Sequence, residues 1–292
     1  MAKPQIVISC PICSHPGSFS FISKKEKKIY KCTNDSCDHF WTTISKENQG
    51  MHPRDYDIKK FSNKHLKFYG KRNLKLLRMF LNNIPKAEKY NFLDYGTGIA
   101  HVARSFKNKL RSRVNLFCFE PNERCSKFYK EWGLVHKKTI SDIDEKFDLI
   151  YSLEVIEHIE NPYIFLKEIK SLLKPDGKFF LTTPAGCKNE ESTNAFDNYT
   201  HIHFFTPYSL NLLLKKSGFK EIEFKLISEL IPEPSKKRKI FNFFVNLINL
   251  FKIAQEKNNN VTNKNYDFNY SKYDTKALKY PFHLTGFTSH LS

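Results

Sequence analysis

The chain has 292 residues, 40% hydrophobic and 15% aromatic, with 48 Lys+Arg against 30 Asp+Glu and a formal net charge of +18. That length accommodates one full α/β domain and a smaller module, and that apolar content excludes wholesale disorder. No apolar run reaches the roughly 20 residues needed to span a bilayer. Met1 to Gln5 lacks the basic-then-apolar order of a secretory signal, so a cytoplasmic, soluble protein is expected. The positive charge is mostly Lys, with little Arg, the better bidentate reader of phosphates. It fits compositional drift in a Lys-, Asn-, Ile- and Phe-rich chain better than a dedicated nucleic-acid or membrane surface.

Four of the seven cysteines open the chain as two short-spaced pairs, Cys10/Cys13 and Cys32/Cys37. Two such pairs separated by a β-like segment suit a zinc ribbon, each forming a knuckle that offers two thiolates to one tetrahedral ion. Four thiolates leave no open position for a substrate, which makes the role structural. His15 and His39 lie beside the pairs and could replace one sulfur. Phe19–Ile22 and Lys28–Lys31 are expected to pair as strands. Cys118, Cys125 and Cys187 are expected in the core, where small buried thiols are common.

Residues 49–89 read as a helical linker or cap, with Leu74, Leu77, Phe80 and Leu81 on one helix face. Asn91 to Gly98 then reads as a strand running into a glycine turn, and Ile99 to Leu110 as a helix. Val114 to Phe119 forms a second strand ending in Glu120. Phe147 to Ser152 is a further strand. The helix opened by Asn161-Pro162 ends at Lys174-Pro175-Asp176-Gly177, and Lys178 to Thr183 is the next strand. A glycine turn lets a ligand approach the backbone, and an acid at the end of the following strand can take both hydroxyls of a ribose. Together they point to a nucleoside-containing cofactor.

In its order of motifs this region resembles the class I S-adenosylmethionine-dependent methyltransferases. The motifs are Phe92-Leu93-Asp94-Tyr95-Gly96-Thr97-Gly98, Glu120, Phe147 to His158, and Leu172 to Lys178. A nicotinamide-binding fold would want a third glycine, where His101 stands here. The resemblance implies a Rossmann-like, mostly parallel seven-stranded sheet with helices on both faces. It implies that Asp94, Gly96 and Gly98 border the methionine part of S-adenosylmethionine and that Glu120, followed by Pro121, holds the ribose. Ser141 or Asp142 is the candidate adenine contact, and Leu153 and Glu154 should lie at the active-site mouth.

Methyl transfer is an in-line displacement, so the protein mainly orients the acceptor and removes a proton. Candidate bases are Tyr199, His201 and His203, the two histidines sharing one face of an extended segment. Glu154, Glu157 and His158 form a second constellation. In the related quinone-biosynthesis O-methyltransferases, equivalent residues are associated with a divalent metal, although the same pattern also occurs without one.

The amino-terminal module resembles that of surface-polysaccharide and nucleotide-sugar enzymes, and more loosely that of zinc-bearing ribosomal RNA methyltransferases. A sugar or other small hydroxylated acceptor is therefore expected. An RNA methyltransferase and an inactive zinc-module binding protein are the alternatives.

The expected divisions are a ribbon over 1–48, the linker over 49–89, the methyltransferase core over 90–228 and a tail over 229–292. The tail carries a basic-led helix at 236–254 that could lie on a membrane, a partner or the core, and a last strand over Phe282–Leu291.

Overall fold

The structure is a computed structural model that describes residues 8–43, 77, 80–82, 84, 86–184, 186, 196–198, 200–226 and 283–289. Cys187, Tyr199, most of the 49–89 segment and the 236–254 helix lie outside the described residues.

Two sheets organise the chain. The amino-terminal sheet contains β1 (Ile8–Ser9), β2 (Pro16–Ile22), β3 (Lys28–Cys32) and β4 (Phe40–Thr42), all antiparallel. The larger sheet contains β5 (Tyr90–Tyr95), β6 (Val114–Phe119), β7 (Val135–Lys137), β8 (Phe147–Leu153), β9 (Leu173–Pro184), β11 (Lys220–Leu226) and β12 (His283–Ser289). Its order is β11-β12-β9-β8-β5-β6-β7, with β5 to β9 mutually parallel and β12 antiparallel to both of its neighbours. The expected seven-stranded, mostly parallel sheet is present, and the last strand inserts between β9 and β11.

The strands alternate faces. Leu93, Tyr95, Phe117, Ile150 and Phe179 pack on α3 (Pro162–Leu172) and α4 (Pro207–Lys216). Phe92, Leu116, Leu149, Tyr151 and Phe180 pack on the opposite side against α1 (His101–Leu110) and Phe80. The short helix α2 (Ser126–Glu131) lies between β6 and β7. Both faces are covered, which explains why these strands read as continuous apolar runs. Among the described residues, no helix is long and apolar enough to cross a membrane.

One expectation changes. Lys174-Pro175-Asp176-Gly177 does not separate helix from strand; α3 stops at Leu172 and β9 begins at Leu173. The four residues form an irregularity in the pairing with β8. There a Cβ on Gly177 would stand 2.6 Å from the Phe147 carbonyl oxygen. The amino-terminal module is joined to the core by strand pairing. Strand β10 (His203–Phe204) leaves the core and pairs antiparallel with β4, completing a five-stranded sheet. The ribbon residues Ile12 and Trp41 share one apolar cluster with Leu210 and Leu213 of α4.

Phe180 is fully buried, 4.6 Å from Phe80 between ring centroids. Phe180→Ala should cost about 3–5 kcal/mol through lost contacts and the cavity left behind. Urea denaturation should show this as a lower midpoint at an unchanged slope.

Candidate functional site

The chain reverses its strand order on either side of β5, with β6 to one side and β8 to the other. Ligands of open α/β sheets bind at such a switch point, outside the carboxyl ends of the strands. The glycine turn leaves β5 there. Gly96 (φ +76°), Gly98 (φ +52°) and Ala100 (φ +54°) are all left-handed, so the turn coils tightly into α1. At Gly96 a side chain is also excluded by space, since a Cβ would lie 2.6 Å from Val155 Cγ2.

The turn is tied to the end of β6. The amides of Gly96 and Thr97 donate to the Phe119 carbonyl at 2.9 and 3.2 Å. Glu120 accepts from Gly98 N at 3.0 Å through one carboxylate oxygen and from Asn122 N at 2.9 Å through the other. A carboxylate has about four acceptor positions, so roughly two remain for a pair of hydroxyls. This donor set fits the ribose of a nucleoside cofactor. Pro121 is exposed beside it. Ser141 is exposed as well, its hydroxyl 2.8 Å from that of Thr139.

Asp94 lies beneath the turn, only 4% exposed. Burial pushes its carboxyl up to about 7, with nearby Glu120 adding to the rise, against the hydroxyls of Thr97 and Tyr151 and the backbone at Ala103. Its surroundings are those of a group that braces the turn from below.

A second cluster lies where β8 ends. Leu153 closes the strand and Glu154 follows with φ +58°. The Glu154 carboxylate accepts from Thr182 Oγ1 at 2.6 Å. Glu157 is 1% exposed and accepts from Thr183 Oγ1 at 3.0 Å. Burial, reinforced by the charge of Glu154, drives its pKa well above the ordinary carboxylate range. His158 Nε2 and His201 Nε2 stand 3.8 and 3.9 Å from Glu157 Oε1. Glu157, His158 and His201 could therefore hold a metal ion. Of the constellation Glu154, Glu157 and His158 noted in the sequence, the last two lie together with His201, while Glu154 accepts from Thr182.

Hydrogen bonding fixes the imidazoles. His158 Nδ1 lies 2.9 Å from the Thr200 carbonyl, which can only accept, so Nδ1 carries a proton and, in the neutral ring, the lone pair is on Nε2. Asn198 Oδ1 accepts from Thr200 N and Oγ1, which turns its amide nitrogen toward His201 Nε2 at 2.8 Å. His201 Nε2 is thus already an acceptor.

His203 is not part of that cluster. Its Nδ1 meets His39 Nε2 at 3.1 Å in the junction between the sheets. Burial lowers His203 to about 4, and His39 also falls well below its usual value, so both are neutral. His158, the imidazole with the better-defined basic nitrogen, was legible in sequence only as a metal ligand.

The four amino-terminal cysteines converge, with all sulfurs within 4.8 Å of one another. Cys10 and Cys37 are 3.8 Å apart, and Cys13 and Cys32 are 3.4 Å apart. Four sulfurs about 2.3 Å from a central ion would be separated by about 3.8 Å. Ile12 N and Asn34 N point at Cys10 Sγ and Cys32 Sγ, each at 3.4 Å, and Ser14 and Asp38 are left-handed. The two knuckles therefore share one geometry despite their unequal spacing. The crowding lowers Cys10 to about 5, chiefly through its hydrogen bond with Cys37, whose own pKa rises. His15 is exposed and His39 faces His203, so four sulfurs form the set.

The fold is that of the class I S-adenosylmethionine-dependent methyltransferases. The methyltransferase-domain family model matches residues 54–223, and the chain belongs to that family. A ubiquinone biosynthesis O-methyltransferase of Parvibaculum lavamentivorans is 30% identical over 103 residues, 33% of this chain and 41% of that protein. A mitochondrial counterpart from Dictyostelium discoideum is 45% identical over 40 residues, 14% of this chain and 12% of the relative. The matches thus span less than half the length of these curated relatives.

Among solved structures, phosphoethanolamine N-methyltransferase 2 of Haemonchus contortus with S-adenosyl-L-methionine is similar at a TM-score of 0.51 and 16% identity. That likeness covers 95% of this chain and 70% of the other. A chain from the complex of the Haloferax volcanii Trm112 methyltransferase activator and a putative methyltransferase gives 0.51 at 14%, covering 79% and 95%. Likeness at that identity shows the fold alone.

Because the buried Asp94 carboxyl is raised from 3.8 to about 7, the folded state holds a proton that the unfolded state has lost between those values. Stability should therefore fall as pH rises through that window. Asp94→Asn should flatten this contribution, read as a smaller decline in melting temperature from pH 4 to 7 than in the wild type.

Proposed function

We propose that the protein transfers a methyl group from S-adenosylmethionine to a hydroxyl of a sugar or other small hydroxylated acceptor. The observation that carries this reading is the placement of Glu120. It sits on the glycine turn at the switch point and keeps acceptor capacity for a ribose. When bound, S-adenosylmethionine supplies an electrophilic methyl for in-line displacement.

Asp94 supports the turn, and the glycines at 96 and 98 keep side chains out of the cofactor crevice. Leu153 and Glu154 border the mouth, and Ser141 or Asp142 stands nearest the adenine. His158 takes the proton from the acceptor hydroxyl at Nε2, its other nitrogen being held by the Thr200 carbonyl. Such general-base assistance contributes about 10²–10⁴-fold. His201 and Glu157 form the wall behind it. Oxygen as the methylated atom draws support from the chain's similarity to ubiquinone biosynthesis O-methyltransferases. Cys10, Cys13, Cys32 and Cys37 bind zinc in a structural role.

Calorimetry with S-adenosylmethionine tests the cofactor half. Glu120→Ala should weaken binding more than about tenfold, since hydrogen bonds to a charged group contribute about 1.5–3 kcal/mol each. Unchanged affinity would remove the ribose assignment. For the acceptor half, S-adenosylhomocysteine release should be followed over a panel of nucleotide sugars and polyhydroxylated small molecules. His158→Gln should lower kcat by about a hundredfold or more while leaving cofactor affinity intact. Elemental analysis should find one zinc per chain, lost in Cys37→Ser.

A further inference from the structure

Lys27 is the only lysine in the buried set among the described residues, at 6% exposure. Its ammonium donates to the Asn198 carbonyl at 2.9 Å and to the His201 carbonyl at 2.6 Å. It also lies 5.1 Å above the ring of Phe204. A buried ammonium is costly unless its donors are satisfied. These two carbonyls, far from it in sequence, are what satisfy it.

We propose that Lys27, reaching from the cysteine-bearing sheet, is a positioning residue that sets the geometry of the His158–His201 pair. This rests on the reading of that pair as the acceptor side of a methyltransferase site. The two carbonyls it grips bracket the turn 198–201, closed by His201 N donating to Asn198 O at 3.2 Å. Within that turn, the Thr200 carbonyl fixes the tautomer of His158 and the Asn198 amide occupies His201 Nε2. Both imidazoles thus take their orientation from a loop whose ends are held by one ammonium.

The lysine is itself held rigidly. The turn from Ser23 to Lys27 is closed by Ser23 N to the Lys27 carbonyl at 2.9 Å and by Lys27 N to Ser23 Oγ at 3.3 Å. Neighbouring bonds act in the same direction. Thr42 N donates to the Ile202 carbonyl at 3.0 Å, and Ile202 N to the Glu157 carbonyl at 2.9 Å. Phe196 packs against Phe21 and Phe40 of the amino-terminal sheet. The small sheet therefore shapes the acceptor side of the site without contributing a reacting group. Burial lowers the Lys27 ammonium to about 8, and the charge of Asp197, the acidic side chain facing it, opposes that fall. The cofactor crevice at Glu120 uses none of these contacts.

The test uses full-length protein carrying Lys27→Met. Nitrogen-15 spectra of the histidine rings report the tautomers, and amide hydrogen exchange reports residues 200–203. In the wild type, His158 should show a fixed Nδ1–H tautomer. In the variant it should average between tautomers, and exchange at 200–203 should quicken at least tenfold, while S-adenosylmethionine affinity stays within twofold. Lys27→Gln keeps most of the stem and a donor, so it should give intermediate exchange even if the methionine variant fails to fold. Wild-type tautomers and exchange rates in a folded variant would overturn the proposal. Failure of the wild type to bind S-adenosylmethionine would instead remove the methyltransferase reading and leave the clamp to be judged by the spectra.

Discussion

The end of β6 is the point on which the cofactor side of the molecule depends. There the chain must leave a parallel strand, satisfy the amides of the neighbouring glycine turn and keep a cleft open. The Phe119 carbonyl takes the amides of Gly96 and Thr97, and the Glu120 carboxylate takes those of Gly98 and Asn122. One short segment thereby fixes the turn after β5, the start of α1 and the loop after β6. Glutamine could mimic the shape of Glu120 but not its four acceptor positions. The acid is demanded by the backbone around it before any ligand is considered.

A second constraint joins the two sheets. β10 is only two residues long, too short to stand alone, yet it completes the amino-terminal sheet by pairing with β4. The buried pair His39 and His203 crosses the seam, and the ring of His39 lies 5.0 Å from Phe205. Burial keeps both imidazoles neutral, so the hydrogen bond between them is a neutral one. The cysteine knuckles, which cannot build a large core of their own, rest their apolar residues on α4. This economy of packing accounts for the shared cluster that includes Cys10, Ile12 and Leu213.

The sequence made the larger sheet legible because strands covered on both faces read as unbroken apolar runs, as Val114 to Phe119 does. The glycine turn, Glu120 and the two cysteine pairs were legible because each needs particular residue types at short spacing. What depended on distant partners was not. Alternation placed His201 and His203 together, but His201 meets Asn198 and Glu157 whereas His203 meets His39. Pro175 and Gly177 read as a terminator, whereas β8 accepts them as a bulge. The orientation of the His158 ring follows from the Thr200 carbonyl, and no pattern in the sequence announces that contact.

The chemistry at the end of β8 turns on which groups hold protons. Glu154 accepts from Thr182, while Glu157, fully buried and raised further by the charge of Glu154, favours its neutral form. What remains is one carboxyl group that resists ionisation and two imidazoles, one of which already accepts a hydrogen bond from Asn198. A cation placed among them would have to expel the proton of Glu157 and break the Asn198 contact. A proton acceptor needs neither change, because the lone pair of His158 Nε2 is set by a backbone carbonyl on the far side of the ring. The proton transfer proposed for His158 and a bound cation would therefore make opposite demands on Glu157 and on the Asn198 contact.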